Sequence, residues 1–184
     1  IMKRAIALLE KHNLLKIISD ELDINLEIPH IAYVEVKRPD SKAILFTNVV
    51  DRKNGKKFKE PVLMNVFCNE DAVKLFIGDG DKIGSEIESL LKLKPPVTFS
   101  EKLSTLGKLF SLKNTIPKKI KGKGVCQEVI KLGADAKLSD LPVIKTWEED
   151  GGAFITMGQV YTQSLNGELK NLGIQVKDRG GNQQ

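Results

Sequence analysis

Apolar residues near the start of the chain recur every three or four positions. In "KRAIALLEKHNLLKIISDEL", Ile6, Leu9, Leu14, Ile17 and Ile18 fall near the helical period, with His12 and Asn13 dividing a first helix from a second. The next run, "INLEIPHIAYVEVKRPD", carries two periods at once. Ile24, Leu26 and Ile28 alternate as in a strand, while Pro29 suits the opening of a helix that stops at Arg38, Pro39 and Asp40. "KAILFTNVV" (42–50) and "PVLMNVF" (61–67) are compact apolar runs on either side of the hydrophilic "DRKNGKKFKE", and predict two buried strands with an exposed connection. Asn69 then reads as a helix N-cap with Asp71 in the first turn and Gly78 to Gly80 as the stop. Ile83, Ile87, Leu90 and Leu91 around Ser85 make a further helix ended by Pro95 and Pro96, and "FSEKLSTLGKLFSL" makes another. Strands alternating with helices predict an α/β layer domain over residues 2–117.

The texture changes after "PKKIKGKG" (117–124). "GVCQEVI", "LPVIKTW", "FITMGQVYTQ" and "LKNLGIQV" are short β-rich runs separated by "LGADAKLSD", "EEDGG" and "SLNG". Residues 118–124 therefore read as a basic linker, and 125–184 as a second domain with the opening strands of a barrel. About four strands are too few to close a barrel, so this second domain is expected to be incomplete. Its most explicit pattern is "NGELKNLGIQV" (166–176), a Gly-containing turn feeding a strand, with the uncharged Asn171 where that strand begins.

At 184 residues and 41% hydrophobic content, the chain can bury a core. Charged residues make up 29%, with a formal net charge of +5 and a sequence pI of about 9.1. The Lys residues are spread through periodic segments as on a solvated surface. Aromatic content of 5%, with few rings near the Lys-rich linker, argues against a nucleic-acid module. Cys68 and Cys126 have no CxxC spacing, no N-terminal stretch has the form of a secretory signal, and no apolar run approaches the roughly 20 residues that span a bilayer. A reduced cytoplasm is the expected setting. Ile1, which precedes Met2, is set aside.

Local chemistry is sparse. His12 and His30 have no HxH or HExxH spacing, and GxGxxG, GxxxxGK[ST] and GxSxG are all missing. "GDGDKIG" follows a predicted helix, whereas a phosphate loop leaves a strand, so it reads as a stop and turn. "EEDGG" puts Glu148, Glu149 and Asp150 in a solvated turn, with Trp147 packed beneath it. Gly151 and Gly152 permit close backbone approach, and Thr156 then presents a hydroxyl from a strand. Asn171 offers one amide oxygen, while Mg²⁺ or Mn²⁺ takes several oxygen donors, so from the residues alone it is a turn or strand-end hydrogen-bonding group.

In order along the chain, "AILFTNV" (43–49), "PVLMNVFCNEDAVKLFIG" (61–78) and "LSDLPVIKTWEEDGGAFITMGQVYTQSLNGELKNLGI" (138–174) resemble the UbiD-like decarboxylases. The resemblance implies an N-terminal α/β domain followed by a flavin-reductase-like split β-barrel, of which only the first strands are present. It implies prenylated FMN tied through its phosphate to Mn²⁺, an aromatic or unsaturated acid such as 4-hydroxy-3-polyprenylbenzoate as substrate, and a homo-oligomer. A prenylated substrate further implies peripheral contact with a membrane. By motif position, Asn171 matches the family's metal-ligand Asn, and Thr156 and Ile174 match positions beside the cofactor.

The pattern also departs from the family's. After N-x-G-[IM]-Y the family carries a catalytically important Arg, where this chain has Val176, with Arg179 out of register. The family's later His and Glu ligands and its catalytic glutamates have no counterpart, so the chain is expected to be an N-terminal piece that is inactive alone and does not hold the cofactor by itself. The rival expectation is a non-catalytic binding or assembly module built on the N-terminal domain.

Overall fold

Residues 42–50 build the middle of a small sheet, as their apolar run predicts. In the computed structural model, which describes residues 2–92, 121–124, 127–173 and 176–177, the chain forms two compact units. One comprises Ile1–Ile77 with Lys137–Gln184, the other Gly78–Ala136. The first contains α1 (Met2–Lys11), β1 (Leu15–Asp23), α2 (Glu27–Val36), β2 (Ala43–Asp51), β3 (Lys56–Lys57), β4 (Val62–Met64) and α3 (Glu70–Ile77). Its later part adds β5 (Phe154–Ile155), β6 (Val160–Gln163), β7 (Lys170–Gly173) and β8 (Val176–Lys177). The second unit contains α4 (Gly80–Leu91) and a 3-10 turn at Gly133–Asp135.

In the four-stranded sheet, β2 pairs in parallel with β1, from Leu15↔Ala43 to Asp23↔Val50, and antiparallel with β3 and β4. This corrects the second predicted helix at 14–22, which is β1. Asn13 ends α1 with a left-handed φ of 57°, its N–H donating to Glu10 O (3.0 Å) and that of Leu14 to Leu9 O (2.8 Å). That paired closure is a Schellman cap, with Asn replacing the usual Gly. The helical spacing of Leu14, Ile17 and Ile18 then yields to the open edge of β2, because a ladder with a buried strand outweighs a weak local period. The register slips between Ile18 and Glu21, a bulge that bends β1.

The doubly periodic run resolves as helix α2. Pro29 sits in its first turn, where a missing N–H leaves no intrahelical bond unmade. For α3, Asn69 Oδ1 accepts from the Ala72 N–H (2.9 Å) as predicted, while its Nδ2 donates to Ser41 O (2.8 Å). Gly78 stops that helix with φ 98°. Ile28, Ile44, Phe46, Val49 and Phe58 form the core with Ile144, which arrives from far along the chain.

Elsewhere the β-rich reading is partly corrected. Residues 127–130 of "GVCQEVI" form no strand, and "LPVIKTW" makes only the isolated bridges Asn25↔Lys145 and Ile144↔Phe154. These runs are short and hold few apolar pairs, so they lack the facing strand that would extend a ladder. Two-stranded pairs β5–β8 and β6–β7 complete the described β structure, giving a mixed α/β fold with a small sheet. The predicted helix at 99–112, Cys126 and Ile174 lie outside the described residues. Among the described residues no helix is long and apolar enough to cross a membrane.

Candidate functional site

The turn that opens "NGELKNLGIQV" closes a hairpin. Val160, Tyr161, Thr162 and Gln163 of β6 pair with Gly173, Leu172, Asn171 and Lys170 of β7. The Ser164 N–H donates to Leu169 O (2.9 Å) and the Gly167 N–H to Ser164 O (2.8 Å), with Gly167 at φ 76°. Asn171 thus stands opposite Thr162, exposed, with its Oδ1 accepting from the Leu172 N–H (2.9 Å). Two residues beyond β7 the chain enters β8, where Val176 pairs with Ile155 of β5. Thr156 directly follows that pair. It occupies an exposed turn rather than the strand predicted for it, because β5 is only two residues long.

Asn171 brings one oxygen donor, already engaged locally, and among the described residues no three His, Cys, Asp or Glu side chains converge on one point. A divalent cation takes about six oxygen donors. The described residues alone do not make a holder for Mn²⁺.

The "EEDGG" carboxylates do form a turn. Glu148 and Glu149 are exposed, while Asp150 accepts the Trp147 N–H on Oδ2 (2.9 Å) and donates its own N–H to Trp147 O (3.1 Å). Trp147 does not pack beneath this turn; its ring meets that of Tyr33 on α2 edge to face, centroids 5.3 Å apart. The segment before it is strapped to the β1–α2 connection, Leu26 N–H to Lys145 O and Lys145 N–H to Ile24 O, both 3.1 Å. Beside the strap, the Glu27 carboxylate takes Arg52 Nη1 at 2.5 Å and the Asp23 N–H at 2.8 Å. The Arg52 bond, followed by the Asp23 N–H, holds its pKa below the ordinary carboxylate range. The nearly buried Asp23 accepts the backbone N–H groups of Asn25 (2.9 Å) and Arg52 (3.2 Å).

Two cavities flank the strap. One, of about 500 Å³, runs along α2 past Met64 and Asn65 to Thr146, Trp147 and Glu148. The other, of about 520 Å³, reaches from Asp51, Lys53 and Asn54 to Lys145 and the Asp150–Gly151–Gly152 turn. Neither is legible from motif spacing. The only sequence signal was the chain's one tryptophan, set beside a turn.

A mixed α/β layer is thus followed by a β-rich segment that presents Asn171 from a hairpin. Residues 6–91 match the 3-octaprenyl-4-hydroxybenzoate carboxy-lyase N-terminal domain, and residues 118–178 match the Rift-related domain of the same enzyme family. The chain belongs to the UbiD family and corresponds to its N-terminal portion. A protein of Helicobacter pylori is 42% identical over 186 residues, covering 97% of this chain and 30% of its own length. One of Aquifex aeolicus is 37% identical over 177 residues, covering 93% of this chain and 35% of its own. Both bear the name uncharacterized protein. The chain thus spans about a third of the length of the curated relatives it matches.

Among solved structures, the closed form of vanillic acid decarboxylase from Sedimentibacter hydroxybenzoicus superposes with a TM-score of 0.64 at 20% identity, covering 97% of this chain and 35% of that one. The UbiD-class enzyme HmfF from Pelotomaculum thermopropionicum, in complex with FMN, gives 0.54 at 19% identity, covering 94% and 33%. At such identities the likeness establishes the fold.

Proposed function

We propose that these residues are the N-terminal part of a non-oxidative (de)carboxylase that acts on an aromatic or unsaturated acid, with 4-hydroxy-3-polyprenylbenzoate of quinone synthesis as the model substrate. The observation that carries the reading is the match of two successive family domains in chain order; on the motif resemblance, Asn171 on β7 and Thr156 beside β5 would stand at the family's cofactor positions. In this reading the domains are 2–117 and 125–184 joined by the basic linker 118–124, and the second domain continues into a split barrel. The complete protein is a cytoplasmic homo-oligomer that touches membranes only through its prenylated substrate, and takes no nucleic acid.

Decarboxylation leaves an electron pair on carbon, so the reaction needs an electron sink and a group that returns a proton. The family's sink is prenylated FMN held with Mn²⁺. Within this chain, Asn171 would be one metal donor, and Thr156 and Ile174 would line the flavin; the further donors and the acid lie on other residues. Alone, the 184-residue chain is inactive and does not retain the cofactor.

The test is Asn171→Ala in the full-length protein. Bound manganese and flavin absorbance should both fall at least about tenfold, CO₂ release should fall with them, and far-UV circular dichroism should stay unchanged, since Asn171 is exposed. Unchanged metal content in the variant would sink the reading. One observation favours the rival reading, a binding or assembly module: Val176 stands at the position of the family's Arg, and its partner is the backbone of Ile155. A full-length protein that releases no CO₂ even when loaded with prenylated FMN would support that module.

A further inference from the structure

The cavity along α2 belongs to no part of the decarboxylase reading, yet it carries marks of a built site. Of three non-glycine residues with positive φ among the described residues, two line it: Leu26 (71°) and Asn65 (56°). Asn tolerates that conformation, whereas a Leu is strained there and must be held by its surroundings. Leu26 is held by its N–H bond to Lys145 O (3.1 Å), and Asn65 by its Nδ2 donating to Ala32 O (2.7 Å). The turns that shape the two ends of the cavity are therefore fixed.

Pro29, Ala32, Val36 and Met64 make the lining mainly apolar, and its volume of about 500 Å³ leaves room for a small aromatic ligand. At its mouth stand Tyr33 and Trp147, 44% and 53% exposed although they pack on each other. Aromatic faces attract cations, and Tyr33 already does so, with Lys37 Nζ 4.9 Å from its ring centroid. Two carboxylates line the cavity. Glu27 is neutralised by Arg52, while the Glu148 carboxylate has no hydrogen bond or ion pair among the described residues; Lys145 Nζ is nearby, on the Glu148 carbonyl (2.6 Å). His30 also lines the cavity, and no Lys or Arg does among the described residues.

We propose that this cavity binds a small aromatic ammonium ion, its ring in the apolar slot beside α2 and its positive end between the Trp147 face and the Glu148 carboxylate. The inference is independent of the decarboxylase reading, which uses none of these residues.

Trp147 is the chain's single tryptophan, so its fluorescence reports on this site alone. The 184-residue protein is titrated with phenethylammonium, neutral 2-phenylethanol and anionic 3-phenylpropionate. The ammonium should give a saturable change with a dissociation constant of about 1 mM or below, with the alcohol at least about tenfold weaker and the propionate silent. Glu148→Gln, on an exposed turn, should weaken the ammonium about fivefold and leave thermal unfolding unchanged. Equal responses to all three probes, no saturable change, or an unaltered Glu148→Gln titration would each overturn the proposal.

Discussion

Asp23, Glu27 and Arg52 tie the end of β1, the start of α2 and the end of β2 into one polar cluster. Glu27 also sits in the first helical turn, where the backbone dipoles favour a negative charge. Its pKa is lowered in the folded protein, so its contribution is complete above the ordinary carboxylate range and drains away as pH falls through the folded value. Glu27→Gln should remove that acid limb from a stability–pH profile. At neutral pH it should cost no more than about 1 kcal/mol, because the pair is screened by solvent. A variant that keeps the acid limb would assign it to other carboxylates. At this scale the sequence was legible where one residue acts on its neighbours, as Asn69 and Gly78 do. It was silent where partners lie far apart: nothing in the spacing of Glu27 and Arg52, or of Tyr33 and Trp147, announces their contact.

The elements were read best where a local signal and a tertiary one agree. Strand β2 is apolar at Ala43–Phe46 and Val49–Val50 because β1 lies on one edge, β3 and β4 on the other, and core residues pack against it. Strand β1 was misread because its apolar spacing is set by a bulged ladder, which imitates a helical period over a few residues. Helix α3 depends on a shared anchor: Asn69 caps it and grips Ser41 O, and Ser41 Oγ donates to Cys68 O (2.6 Å). Asn69→Ala should therefore cost about 1–2 kcal/mol, measured by urea denaturation. Asn69→Asp should keep the cap and lose the donor to Ser41, falling between the two. The hairpin holding Asn171 was visible from its Gly-containing turn, while nothing in the apolar run around Thr156 showed that β5 ends at Ile155 and leaves Thr156 in a turn.

For the whole molecule, the family resemblance and the α/β character were legible, because the motifs that carry them are contiguous in sequence. The cavities were not, since their walls come from segments more than a hundred residues apart. The core shares that property. Phe46, fully buried among Ile28, Ile44 and Val49, should cost about 3–5 kcal/mol when replaced by Ala. Against a total of about 5–15 kcal/mol for a domain, that loss should bring the circular-dichroism unfolding midpoint down sharply; a small change would mean that the site collapses around the void. Ile144 joins the same cluster, and this sets a schedule for synthesis. At about 5–20 residues per second, the ribosome needs about 4–17 s to go from Phe58 to Ile144. For that interval the nascent sheet carries an aliphatic face its own chain has not yet supplied the means to cover, a window in which a chaperone that reads exposed aliphatic surface would find this chain.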